Sequence, residues 1–153
     1  MASNSAAIRH TTQIAAVPRG GLLLLGRLFF AAVFVTSGLS HFFKPAIGYA
    51  AAQGMPLASL TVPVSGLMAV AGGLSILLGY RAKLGAWLLV LFLVPVTFMM
   101  HNFWAVTDPM MAQMQMSMFM KNLSVVGGAL LITQFGAGPL SLDSRRSQSL
   151  SGE

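Results

Sequence analysis

Cysteine is absent from the 153 residues, and the acidic side chains number only three. Without a thiol there is no disulfide framework, no thiolate metal site and no cysteine nucleophile, so any redox role has to use a bound cofactor or a partner. Charge as a whole is scarce. Lys, Arg, Asp and Glu make up 8% of the chain, against about one quarter in soluble domains, too few to cover a water-facing surface. What is abundant is apolar: 56% hydrophobic residues, a mean hydropathy of +0.76, and runs of about twenty apolar residues rather than alternation or narrow stripes. These features exclude a soluble enzyme domain, a disordered chain and a nucleic-acid module. The net charge of +6 does not point to nucleic acid, because the basic residues stand singly between apolar runs and read as topology signals.

Four segments are long enough to cross a hydrocarbon core about 30 Å thick, at about 21–43, 60–80, 84–104 and 117–136. They predict an all-α membrane protein, a four-helix transmembrane domain over 21–136, with polar tails at 1–20 and 137–153. The first tail has no apolar core and is no secretory signal. The first apolar run reads as a retained span, with cleavage after Ala50 to Ala52 as the alternative. Pro45, Gly48, Gly54 and Pro56 break the chain after the first span and leave room for a short interfacial helix around Ile47 to Gln53. Pro63 falls in the first turn of the second span, and Pro95 inside the third predicts a kink. The Ser-rich end after Asp143 is expected to be without fixed structure.

Lys and Arg set the orientation. Arg9, Arg19, Arg27, Arg81, Lys83, Arg145 and Arg146 fall on one side and only Lys44 and Lys121 on the other, so both termini are expected in the cytoplasm of a multi-pass inner-membrane protein. Arg27, about two turns into its span, is expected to snorkel to the headgroups. Small residues at four-residue spacing, Ala32, Thr36 and Ser40 in the first span, Ser65, Ala69 and Gly73 in the second, and Ser124 with Gly128 in the fourth, mark expected packing faces.

Following the chain through its crossings brings the unusual polar residues to the outer side. His41 and His101 reach one level at the outer ends of the first and third spans, Asp108 lies in the next loop, and Lys121 with Asn122 lies about one turn into the fourth span. Ionisable groups in spans are costly unless paired or solvated, so His101, Asn102, Lys121 and Asn122, with His41, Asp108 and Trp104, form a candidate ligand pocket. The alternative is interfacial anchoring by the same side chains. The Met-rich run places Met110, Met111, Met114 and Met118 in one helical sector leading to Lys121. Thioethers suit Cu(I), and they equally fill gaps or face lipid.

The order of Leu25-Gly26-Arg27-Leu28, Ser37-Gly38-Leu39-Ser40-His41-Phe42, Pro45, Gly72-Gly73-Leu74, Leu77-Leu78-Gly79-Tyr80-Arg81, His101-Asn102-Phe103-Trp104, Lys121-Asn122-Leu123 and Gly127-Gly128 resembles the DoxX family, DoxD-like subunits included, over about 25–134. The resemblance implies a redox-associated inner-membrane protein, at most a subunit of a quinone-linked oxidoreductase, tied to sulfur-compound or thiol oxidation. Two departures stand out: Ala69 where relatives often carry glutamate, and His41 where they often carry lysine. On this expectation the outer-leaflet pocket takes a quinone, and the partners are the bilayer, a redox protein or membrane complex, and further copies in an oligomer. A non-catalytic assembly factor is the second reading, and a Cu(I)-binding or transport protein the third.

Overall fold

A computed structural model describes residues 19–150. The expected N-terminal tail lies outside the described residues up to position 18, as do the last three residues of the C-terminal tail. Among the described residues the chain is helical: α1 Arg19–Ser40, α2 Lys44–Ala52, α3 Ala58–Leu78, α4 Ala82–Met100, a 3-10 turn Phe103–Ala105, α5 Pro109–Phe135 and α6 Leu142–Leu150. Helices α1, α3, α4 and α5 are each long and apolar enough to cross a membrane. The protein is a four-helix membrane bundle with a short α2 between the first two spans.

The helices pack in the order α1, α3, α4, α5, with α2 lying against α3. A core of Phe34, Ala69, Ile76, Ala86, Leu89, Phe92 and Leu93 joins the first three, and Val125, Val126 and Ile132 of α5 close over it. Most large apolar side chains outside this core are exposed, among them Leu22, Leu67, Leu91 and Leu131. In lipid that exposure costs nothing, because acyl chains are as apolar as the side chains they touch.

Glycine sets the approach of α1 to α3. A Cβ on Gly66 would lie 2.7 Å from the Gly38 carbonyl oxygen, and one on Gly38 would lie 2.8 Å from that of Gly66. The two backbones therefore touch, as only glycine allows. The buried face of α1 is accordingly Arg27, Ala31, Phe34 and Gly38. Ala32, Thr36 and Ser40, the expected face, are exposed. The correction is one residue, or about 100° around the helix. Thr36 and Ser40 instead donate their hydroxyls to their own helix, to Ala32 O at 2.7 Å and Ser37 O at 2.6 Å. On α3, Ala69 and Gly73 are buried and Ser65 half-buried. In α5 Gly128 meets the Phe30 ring, whereas Ser124 is exposed and donates to Met120 O.

Three further expectations are revised. Helix α5 begins at Pro109 instead of 117, because Asp108 accepts a hydrogen bond from Met111 N at 2.8 Å and Pro109 occupies the first turn, where a missing N–H is harmless. Its 27 residues extend about 40 Å, longer than a hydrocarbon core, so the Met-rich end projects past it. Helix α3 begins at Ala58, which puts Pro63 inside the helix beyond its first turn.

The third revision concerns the end opposite the histidines. Arg27 is only 6% exposed and does not snorkel. Its guanidinium donates to Leu140 O at 2.7 Å and Ala137 O at 3.4 Å, carbonyls of the loop after α5. Gly136 and Gly138, with φ of 75° and 70°, let that loop fold back under α1. Asp143 then accepts from Arg81 N at 2.9 Å and Ala82 N at 3.1 Å, capping α4 from a distant part of the chain, while its own N–H donates to Gly79 O at 2.8 Å. The segment expected to lack structure is thus docked and continues as α6.

Candidate functional site

Where α1, α3 and α4 end beneath α2, a cavity of about 250 Å³ is lined by Ser40, His41, Tyr49, Ser65, His101 and the apolar side chains of Ala46, Ala50, Met55, Val62, Val96 and Met100. Helix α2 roofs it because Ala50 is held against Ala58, Val62 and Met100, a small apolar cluster separate from the main core. A second cavity of about 280 Å³ shares Met55, Ser65 and Val96 with the first. It runs between α3 and α4 past Val64, Met68, Leu91, Phe92, Pro95 and Met99. Pro95 has no N–H for the Leu91 carbonyl, so the helical ladder is interrupted where this cleft lies.

The two histidines are held alike. His41 Nδ1 lies 2.9 Å from Ser65 Oγ. Ser65 donates its single hydroxyl proton to Val62 O at 2.7 Å, so it can only accept from His41, and His41 carries its proton on Nδ1. His101 Nδ1 lies 2.8 Å from Gln115 Oε1, an acceptor, which places its proton on Nδ1 as well. With Nδ1 as the donor, each ring turns Nε2 to the cavity as an acceptor. His41 also meets the Phe92 ring, with centroids 5.9 Å apart. Burial pushes its pKa below the usual imidazole value, partly offset by the Val62 backbone. The site is therefore a pair of hydrogen-bond acceptors, with Tyr49 and Ser40 at its edge and an apolar cleft leading away.

Of the residues singled out in the sequence, the structure brings His41 and His101 into one cavity and distributes the others elsewhere. Asn102 begins the 3-10 turn and accepts from Ala105 N at 2.9 Å through its carbonyl. Trp104 is exposed and belongs to an aromatic group with Phe98, Phe103 and Phe119, at centroid distances from 5.1 to 6.3 Å. Asp108 caps α5. Lys121 is exposed and donates to Met118 Sδ at 3.4 Å. Asn122 is 8% exposed on α5 and does not line the cavity. Met110, Met111, Met114 and Met118 are exposed, Met110 to 82%. Among the described residues no three His, Asp or Glu side chains are grouped to hold a metal. Tyr49, Ser65 and Gln115 were not singled out as site residues. Ser65 was legible only as a small packing residue, and Gln115 only as an interruption of the Met run.

The model of the SURF4 family matches residues 55–148. Among similar proteins, the inner membrane protein YphA of Escherichia coli (strain K12) is 29% identical over 126 residues, covering 81% of this chain and 89% of YphA. The inner membrane protein YqjF of the same organism is 30% identical over 125 residues, covering 79% and 88%. The ER-derived vesicles protein ERV29 of Saccharomyces cerevisiae is 30% identical over 80 residues, 52% of this chain and 26% of ERV29. No solved structure matches at a significant level.

These matches overturn the DoxX resemblance and the function it implied. The short motifs on which it rested, glycine pairs and aromatic helix ends, are what any tightly packed small bundle uses. Quinone binding, sulfur-compound or thiol oxidation, copper transport and the assembly-factor role have no support in the matched family.

Proposed function

The chain belongs to the SURF4 family, and on that premise we propose that this multi-pass inner-membrane protein binds a small amphipathic molecule at the cavity beneath α2. The ligand's polar end donates hydrogen bonds, as a hydroxyl or an amine does, and its apolar body lies in the cleft between α3 and α4. The observation that carries this reading is the adjacency of the two cavities, which share Met55, Ser65 and Val96: acceptors at His41 and His101 in one, and Met68, Leu91, Phe92 and Met99 in the other. Ligand sites are typically concave, mostly apolar and oriented by a few polar groups, as here.

On this reading the cavity opens at the outer face and both termini are cytoplasmic. Support comes from Arg81, Lys83, Arg145 and Arg146 gathering at the opposite end, where positive charge is retained. The cysteine-free chain makes this directly measurable. Gln53→Cys should react with an impermeant thiol reagent added outside intact cells, and Ser147→Cys only after permeabilisation; the reverse pattern refutes the orientation.

Binding is tested in nanodiscs with a photoactivatable long-chain alcohol. Crosslinks should fall on residues of the cleft, and His41→Ala with His101→Ala should reduce them together. A matched long-chain methyl ether, unable to donate, should crosslink less. Equal labelling by alcohol and ether, unchanged in the histidine variants, refutes the proposal.

A further inference from the structure

A cavity of about 710 Å³ lies at the other end of the bundle, between the α3–α4 turn, the end of α5 and α6. Its polar side carries Arg81 and Lys83, and its opposite side carries Leu84 and Phe135, which are 61% and 77% exposed. Among the described residues neither cation has an ion-pair partner. Among the described residues the one acid beside them, Asp143, spends both carboxylate oxygens on the backbone N–H groups of Arg81 and Ala82. It answers the positive end of α4 and leaves the two side-chain charges uncompensated. Arg81 is steadied by the Tyr80 ring, with its guanidinium carbon 5.8 Å from the centroid. The Lys83 stem passes over Gly136, its Cε within 3.5 Å of where a Cβ would stand.

We infer that this cavity holds the phosphate headgroup of an anionic glycerophospholipid from the surrounding bilayer. The arrangement matches such a molecule part by part. Two cations, Arg81 and Lys83, meet the phosphate. Leu84 and Phe135, in the terminal turns of two membrane-crossing helices, face the acyl chains. A free anion would have no use for that apolar wall, and a zwitterionic lipid would return a cation to a site that already holds two.

The consequence reaches the fold. The cavity is bounded by the same loop that Arg27 and Asp143 hold in place, so headgroup binding would brace the docked C-terminal segment.

The test is native mass spectrometry of the full chain released from nanodiscs holding equal phosphatidylglycerol and phosphatidylcholine. A basic residue near anionic lipid favours it by about fivefold, so the wild type should retain phosphatidylglycerol over phosphatidylcholine by up to about thirtyfold. Arg81→Gln with Lys83→Gln should bring that ratio close to one while helical circular dichroism is unchanged. Lys44→Gln, at the far end of the bundle, should keep it. Should that double variant misfold, Lys83→Gln alone should still lower the ratio about fivefold. An equal ratio in wild type and the double variant, or an equal fall in Lys44→Gln, overturns the inference. So does displacement of the retained lipid by millimolar inorganic phosphate, which would assign the cavity to a free anion.

Discussion

Substituting Gly66 by Ala puts one methyl group where the structure has backbone on both sides. Its Cβ would lie 2.7 Å from the Gly38 carbonyl oxygen and equally close to His41 Cβ, against 3.4 Å for the start of ordinary contact, a shortfall of about 0.7 Å. No rotamer change relieves it, since the oxygen belongs to the α1 backbone and the Cβ to its continuation, so the two helices must separate. Overpacking of this kind costs about 1–3 kcal/mol. The gain in helix propensity from replacing Gly by Ala returns at most about 1 kcal/mol. The net expectation is a loss on the order of 1 kcal/mol or more, a fivefold or larger shift toward the unfolded state. The assay is unfolding of the purified protein in mixed micelles titrated with SDS, followed by helical circular dichroism. Gly127→Ala is the control, because a Cβ there meets nothing within 4 Å and only the propensity gain applies. Gly38→Ala should resemble Gly66→Ala, and the double variant should lose less than the sum, since both methyl groups open the same contact. Equal stability of Gly66→Ala and Gly127→Ala would refute the account of this crossing.

Arg27→Met should free the loop after α5 by removing charge-assisted bonds worth about 1.5–3 kcal/mol; limited proteolysis near Leu140 and Ser141 should accelerate while the spans stay helical, and unchanged cleavage would contradict the docking. Asp108→Ala should cost about 1 kcal/mol of cap, read as roughly fivefold faster hydrogen exchange at the first amides of α5. His41 binds its proton less readily when folded than when unfolded, because its folded pKa is lowered. Its share of stability is therefore intact above the ordinary imidazole pKa of about 6.5 and is lost as pH falls below that value toward the folded one. Melting temperature should drop between pH 7.5 and 5.5 in the wild type and drop less in His41→Gln; an equal drop in both would show that His41 is not the group responsible.

Much of the architecture is legible in the residues because the bilayer imposes it. A run of about twenty apolar residues has one stable solution in hydrocarbon, a helix that satisfies its own backbone, so four runs imply four crossings. The short α2 follows from Pro45 in its first turn and the breakers Gly54 and Pro56 beyond its end, whereas Gly48 is helical. The level of His41 and His101 follows from 1.5 Å of rise per residue. Which side of α1 packs inward does not follow in the same way. Small residues stand on both sides of α1, Ala31 and Gly38 on one and Ala32, Thr36 and Ser40 on the other, and the mutual seat of Gly38 and Gly66 selects between them.

The site divides along the same line. Helix count and residue spacing suffice to put two imidazoles at one end of the bundle, since both depend on local geometry and on the thickness of the membrane. That Lys121 faces outward, that Ser65 and Gln115 hold the imidazole protons, and that Arg27 and Asp143 anchor the final segment are long-range facts. They depend on how each helix is rotated about its axis and on which distant loop reaches which backbone. Hydropathy, being an average around the helix, carries no information about rotation, and only tertiary packing decided it.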